Sequence, residues 1–264
     1  VSYPTGEIVF FRGLFGLIPI FFIIPRERYK NLFQTKKLKM HLARAFIGTF
    51  GMLWIFLAVK YLPIAEAITI TFAAPVFATI FSMIILKEVI KLFRWVAIII
   101  GLAGVVIILK PGTELFTVYS LFPLMFCLFF GIIAILIKKL SKTEPDYLIA
   151  TFFTLVIIFC GSISLFFEFK MPTARDFVPL VLIGIAGSAG NIFLTMSLRK
   201  GSISAVTPIK YLSLIIATFA GVLIFDEIPY FTTYLGAALI IASSFIIFKR
   251  EEIKNKKTII ARQV

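Results

Sequence analysis

Long apolar runs separated by short charged breaks fill almost the whole chain. They occupy about 7–24, 42–60, 63–86, 92–109, 118–137, 147–168, 177–198, 204–225 and 231–248. A helix crosses the hydrocarbon core of a bilayer with about 20 mostly apolar residues. Each run therefore predicts one transmembrane helix, and the expected fold class is an all-α membrane protein with nine visible spans. The connections are short except for 25–41, which is strongly basic. Pro63, Pro111, Pro145, Pro172 and Pro229 sit at or near connections. Pro19, Pro75 and Pro208 fall inside apolar runs, where neighbouring helices must re-satisfy the freed carbonyls.

Composition removes the competing classes. The 264 residues are 60% apolar and 15% charged, with a mean hydropathy of +1.04. A soluble domain is about 45–50% apolar with glycine included, and about 25% charged. A soluble enzyme, a secreted disulfide scaffold and a disordered chain are excluded. The two cysteines, Cys127 and Cys160, lie in apolar runs and read as small buried hydrophobes. His41, the single histidine, sits in a basic stretch, so no zinc site of the usual His/Cys type can be assembled. No metal site and no cofactor is expected. With no nucleotide-binding motif present, the chain is not expected to hydrolyse ATP.

A net charge of +14 would suit a phosphate-bearing partner if the cations formed one surface. Their distribution gives another answer. Let 25–41 face the cytoplasm and the spans alternate. Twenty-one of the 27 Lys and Arg then fall at cytoplasmic ends, among them Arg26, Arg44, Lys87, Lys138, Arg199 and six beyond Phe248. Lys60, Lys110, Lys170 and Arg175 fall outside, and Arg12 and Lys210 lie within spans. That bias is the positive-inside signature. Basic loops meet an anionic membrane face, so membrane lipids replace nucleic acid as the expected partner. The C-terminus falls in the cytoplasm, with 252–264 as a basic tail. Val1 is followed almost at once by a span entering from outside, and no signal peptide precedes it. A tenth helix is therefore expected upstream.

The two halves resemble each other. When Glu88 is laid on Glu227 without a gap, Gly48 meets Gly187 and Gly51 meets Gly190. Ile70 meets Ile209, Ala78 meets Ala217 and Lys110 meets Lys249. Glu88 ends its span on the cytoplasmic side and Glu227 ends its own outside, so the repeats are inverted. These two glutamates read as fixing loop geometry. Inverted repeats with a midplane site between them are the architecture of secondary transporters. The expected organisation is a first repeat over 1–111 and an inverted second repeat over 118–251.

Glu7-Ile-Val-Phe-Phe-Arg12 resembles the entry to the second helix of EamA-type members of the drug/metabolite transporter superfamily. Pro75, Glu88 and the closing Val-Val-Ile-Ile-Leu-Lys-Pro resemble the first EamA repeat. Pro208-Ile-Lys-Tyr-Leu-Ser and Ile-Phe-Asp-Glu-Ile-Pro229 are similar to bacterial members assigned to S-adenosylmethionine uptake, and riboflavin transporters of the superfamily look similar too. In the uptake members an Arg-Tyr-Leu-Glu stands near this place. Here Lys210 replaces its arginine and Ser213 its glutamate. The resemblance implies ten spans in two five-helix repeats, a bacterial inner membrane and a small-molecule substrate. It further implies alternating-access uptake of an S-adenosylmethionine-like or riboflavin-like solute, with export of amino acids or other metabolites as the alternative.

Lys210 lies six residues into its span, about 9 Å from the end. It either meets an anionic group of the substrate or snorkels to the cytoplasmic rim. Tyr211 beside it suits a conjugated ligand, or packs. Trp54 and Phe72 are placed to stack on a flat ring, and Thr71 and Asn191 add polar groups on spans expected to face a cavity. Arg12 pairs with Glu66, or Glu66 carries a coupling proton. Gly184, Gly187 and Gly190 form a small-residue surface for tight helix packing. A membrane enzyme would need converging acids, histidines or a nucleophile with its base, and none is visible, so no enzyme is expected. A non-transporting scaffold would have no use for Lys210 and Arg12. Nothing in the sequence assigns an oligomeric state.

Overall fold

The computed structural model describes residues 3–31, 33–71, 73–86, 92–109, 117–200, 223, 230–243, 245, 246 and 249. Among them the regular structure is helical, with no strand. The elements are α1 (Thr5–Ile23), α2 (Leu38–Tyr61), α3 (Ile64–Thr71), α4 (Ala74–Leu86), α5 (Leu92–Leu109), α6 (Leu121–Leu140), α7 (Asp146–Leu165) and α8 (Ala174–Lys200). A further apolar helix covers Phe231–Ser243, and short 3₁₀ turns precede α2 and α6. By length and composition, five helical stretches can cross a membrane: α1, α2, Val118–Leu140, α7 and α8. Their outward faces need lipid, because large apolar side chains such as Phe22 (81% exposed), Leu182 and Phe193 stand open along them.

The run expected as one span over 63–86 is divided. α3 stops at Thr71 and α4 starts at Ala74, with a turn at Ala73. Pro75 explains the break. It has no N–H for the carbonyl four residues back, and its ring collides with that turn. Carbonyls just before the break take local donors. The Ala73 N–H and the Cys127 thiol both donate to the Ile70 carbonyl, at 3.0 and 3.3 Å, and the Thr71 hydroxyl donates to the Ile68 carbonyl at 2.6 Å. Cys127 is buried as expected, whereas Cys160 is only half-buried. The run over 204–225 lies outside the described residues.

The chain divides into two compact units. Unit one is Val1–Leu53 with Ile133–Lys200, and unit two is Trp54–Ile132 with Gly201–Val264. In unit one α1 packs along both α7 and α8. Glycines bring these helices close. A Cβ on Gly161 of α7 would lie 2.6 Å from the Phe10 Cα, and one on Gly16 would lie 3.2 Å from the Ser188 Cβ. Ile20, Ile24, Ala150 and Ile192 fill the core at the other end of α1. Thr173 caps the start of α8, and Asp176 and Tyr3 hold it in place, the Thr173 N–H donating to the Tyr3 hydroxyl at 3.3 Å. The Asp176 N–H donates to Thr173 Oγ1 at 3.3 Å, and the Thr173 and Tyr3 hydroxyls donate to the Asp176 carboxylate at 2.6 and 2.7 Å.

In unit two the core is Ile70, Ala73, Ala74, Cys127 and Ile240. α5 lies against Phe231–Ser243. A Cβ on Gly104 would meet the Gly236 carbonyl oxygen at 2.7 Å, and the Ser243 hydroxyl donates to the Ala97 carbonyl.

The glycine contacts make a testable contrast. Gly161→Ala, which drives a methyl into the α1 backbone, lowers the unfolding midpoint in detergent. Gly190, with nothing within 4 Å of a Cβ, tolerates alanine and gains about 0.5–1 kcal/mol from the lower backbone entropy cost of the helix. Equal losses at both positions would show that the close approach is not what requires glycine at 161.

Candidate functional site

Four ionisable side chains expected in loops, or not singled out, lie inside unit one. α2 begins at Leu38, several residues before the apolar run that predicted it, so His41 and Arg44 belong to the helix. His41 is fully buried and Arg44 is 2% exposed. Arg44, counted among the cations at cytoplasmic ends, is an arginine packed between helices. Its Nη2 donates to Asn191 Oδ1 of α8 at 2.7 Å. Its guanidinium lies 4.0 Å from the centre of the Phe153 ring of α7. A Cβ on Gly48 would fall 3.4 Å from Nη1 and 2.7 Å from Phe153, so glycine keeps that edge of the guanidinium open.

Arg44 Nε and Nη1, Asn191 Nδ2 and Ser188 Oγ are buried without a hydrogen-bond partner among the described residues. No ion pair of Arg44 occurs among those residues. Each such buried, unsatisfied donor costs about 1–3 kcal/mol. A residue kept at that cost inside a membrane helix calls for a functional explanation.

One helical turn from Arg44, His41 stacks on Phe152 with ring centres 4.7 Å apart. Its Nε2 stands 3.6 Å from Glu144 Oε2, and the Thr35 hydroxyl donates to Glu144 Oε1 at 3.0 Å. Glu144 lines a cavity of about 420 Å³ together with Arg28, Lys36, Lys37, Thr143 and Tyr147. Arg199 at the end of α8 ties this loop down, donating to Asp146 Oδ1 at 2.7 Å and to the Glu144 carbonyl. A polar trail thus runs from the cavity through Glu144 and His41 to Arg44. At the start of α1, Glu7 is fully buried and accepts the Lys170 backbone N–H at 3.1 Å.

The residues singled out from the sequence are only partly brought together. Asn191 is half-buried and holds Arg44. Arg12 extends from α1 over Gly187 of α8, where a Cβ would lie 2.6 Å from its Nε. That glycine makes room for a guanidinium, Gly184 packs against Phe15, and Gly190 faces open space. The expected tight-packing surface therefore holds at Gly184 and Gly187, both against α1, and not at Gly190. Glu66 is on α3 in unit two, and its side chain lies outside the described residues, as do Phe72, Lys210 and Tyr211. Trp54 is half-buried against Phe122 (5.4 Å, tilted), beside the stacked pair Tyr61 and Tyr119 at 4.4 Å. The Thr71 hydroxyl is taken by its own helix. Sequence reasoning missed Arg44, His41, Glu144 and Glu7. The signal for Arg44 was present: it stands two residues inside the apolar run that begins at 42, four residues before Gly48.

Several membrane-crossing helices carrying buried cations define a polytopic helical membrane protein with polar chemistry inside its spans. Residues 2–110 and 118–249 both match the EamA-like transporter family, and the chain belongs to that family. It is 31% identical to an S-adenosylmethionine uptake transporter of Rickettsia bellii, over 95% of this chain and 86% of that one. It is 27% identical to a riboflavin transporter of Vibrio cholerae, over 96% and 86%, and 26% identical to the pseudopaline exporter CntI of Pseudomonas aeruginosa, over 92% and 85%. A solved crystal structure shares the fold with a TM-score of 0.65 at 17% identity, covering 92% of this chain and 86% of that one. The chain is a multi-pass bacterial membrane protein, and its membership supports transport of a small molecule rather than catalysis.

The Arg44–Asn191 pair has a stability signature. Asn191→Leu alone leaves the guanidinium without its acceptor and costs about 1–3 kcal/mol. Arg44→Met with Asn191→Leu regains that loss or exceeds wild type, because well-packed apolar replacement of a buried charge is neutral or stabilising. Unfolding midpoints in detergent decide it. Additive losses in the double variant would mean that the two side chains do not act on each other.

Proposed function

We propose that this protein is a secondary transporter of the bacterial inner membrane that takes up an S-adenosylmethionine-like or riboflavin-like solute by alternating access. The observation that carries this reading is similarity along nearly the whole chain to an uptake transporter at 31% identity. The riboflavin transporter points to a flat conjugated ring as a second solute class. Export of a metabolite is the second reading, favoured by the similarity to a pseudopaline exporter.

The working parts follow from two inverted repeats over 1–111 and 118–251. Their packing supports this arrangement. α1 and α7, which the overlay of the halves lays on each other, pack together in unit one, while α5 and Phe231–Ser243, likewise matched, pack together in unit two. Lys210, Tyr211, Trp54, Phe72, Thr71 and Asn191 are the residues proposed to bind the solute. Arg12 and Glu66 serve in charge balance or proton coupling. The tail at 252–264 faces the cytoplasm, and membrane lipids surround the spans.

The test is uptake of labelled S-adenosylmethionine and riboflavin by proteoliposomes of the full-length protein, with and without a pH gradient. Saturable uptake of one solute is expected, reduced at least about ten-fold, or about 1.4 kcal/mol of apparent affinity, by Lys210→Ala in folded protein. Absence of flux for both from folded protein contradicts the solute assignment. Efflux from loaded vesicles without influx selects the export reading.

A further inference from the structure

We propose that Arg44, Asn191 and Ser188 form an anion-binding site within unit one that receives the carboxylate of the transported solute. The ligand class rests on the transport reading above, whereas the site rests on geometry. Three groups from two helices offer donors with no acceptor among the described residues: Arg44 Nε and Nη1, Asn191 Nδ2 and Ser188 Oγ. All are buried, and Arg44 is only 2% exposed. The Phe153 ring covers one flat face of the guanidinium, so its remaining valence lies in its plane. Nη2 is already fixed by Asn191, which orients the fork. Gly48 leaves the Nη1 edge clear of a side chain.

Nη2 carries a second N–H besides the one given to Asn191, and with the free Nε or Nη1 on that side it makes an in-plane pair that matches a carboxylate. Charge points the same way. Arg44 has no ion pair among the described residues, so one monoanion neutralises it, whereas a dianionic phosphate would leave an excess buried charge. Glu144, which faces His41 one turn from Arg44, also lines the 420 Å³ cavity, where basic Lys36, Lys37 and Arg28 attract anions. A structural strut would use Arg44 to close its own hydrogen bonds. Here only one of its three nitrogens has done so.

The test places a thiol where Arg44 makes its contact. In a Cys127→Ser, Cys160→Ala background, Asn191→Cys is reacted in detergent with anionic methanethiosulfonate ethylsulfonate and with its cationic trimethylammonium counterpart. Each rate is taken relative to a free thiol. The anionic reagent is expected to be favoured at least ten-fold, with the preference lost in Arg44→Gln and the reaction slowed by acetate only when Arg44 is present. Equal rates, a preference unaffected by Arg44→Gln, or no reaction with either reagent would overturn the site and leave Arg44 a sealed strut. Should Asn191→Cys fail to fold, Ser188→Cys reads the same quantities. Uptake gives the second readout: Arg44→Gln removes discrimination between S-adenosylmethionine and its decarboxylated analogue. If the unaltered protein carries neither, the solute assignment falls, while the thiol chemistry still judges the site.

Discussion

A polar group inside the bilayer has no water to turn to, so the protein itself must complete every hydrogen bond there. Much of the architecture of this chain follows from that constraint. Helices satisfy their own backbones. Where Pro75 breaks the ladder, the Cys127 thiol and the Thr71 hydroxyl serve the carbonyls around the break. Where arginines enter the spans, glycines make space for them: Gly187 under Arg12 and Gly48 beside Arg44. These two glycines fall on each other when the halves are overlaid. The small residues thus do two jobs, bringing α1 against its neighbours at Gly16 and Gly161 and admitting guanidinium groups elsewhere. Arg44 stands out because its surroundings complete only part of its bonding.

The sequence carried the membrane class clearly, because the apolar runs and the one-sided basic loops are summed over the whole chain. Its weakness lay at the ends of the runs. Helices begin in the polar flank, and a window that looks for apolar residues starts too late. That is how His41 was assigned to a loop although α2 already contains it. The division of 63–86 was legible in Pro75 but was outweighed by the continuous hydrophobicity on both sides. Asn191 was recognised as a polar group on a span, yet its partner is 147 residues away, a pairing no local pattern contains. The aromatic residues illustrate the opposite difficulty. Trp54 lies against Phe122, and in a chain with 31 phenylalanines a ring is a poor guide to a ligand without its neighbours.

The division into compact units also runs against chain order. Each unit draws on both halves of the sequence. α1 from the first half packs with α7 from the second, and α5 packs with Phe231–Ser243, and such pairs produce the mixed units. The proposed transport cycle is alternating access about a fixed site, as in other transporters built from inverted repeats.

The inversion of the two repeats is the central claim on which that cycle depends. Single cysteines at positions 88 and 227, in a background lacking Cys127 and Cys160, test it most directly. They are labelled with a membrane-impermeant maleimide in right-side-out and inside-out vesicles. Inverted repeats predict labelling of position 88 only from the cytoplasmic face and of position 227 only from the outer face. Labelling of both from the same face would contradict the inversion and, with it, alternating access between two antiparallel halves.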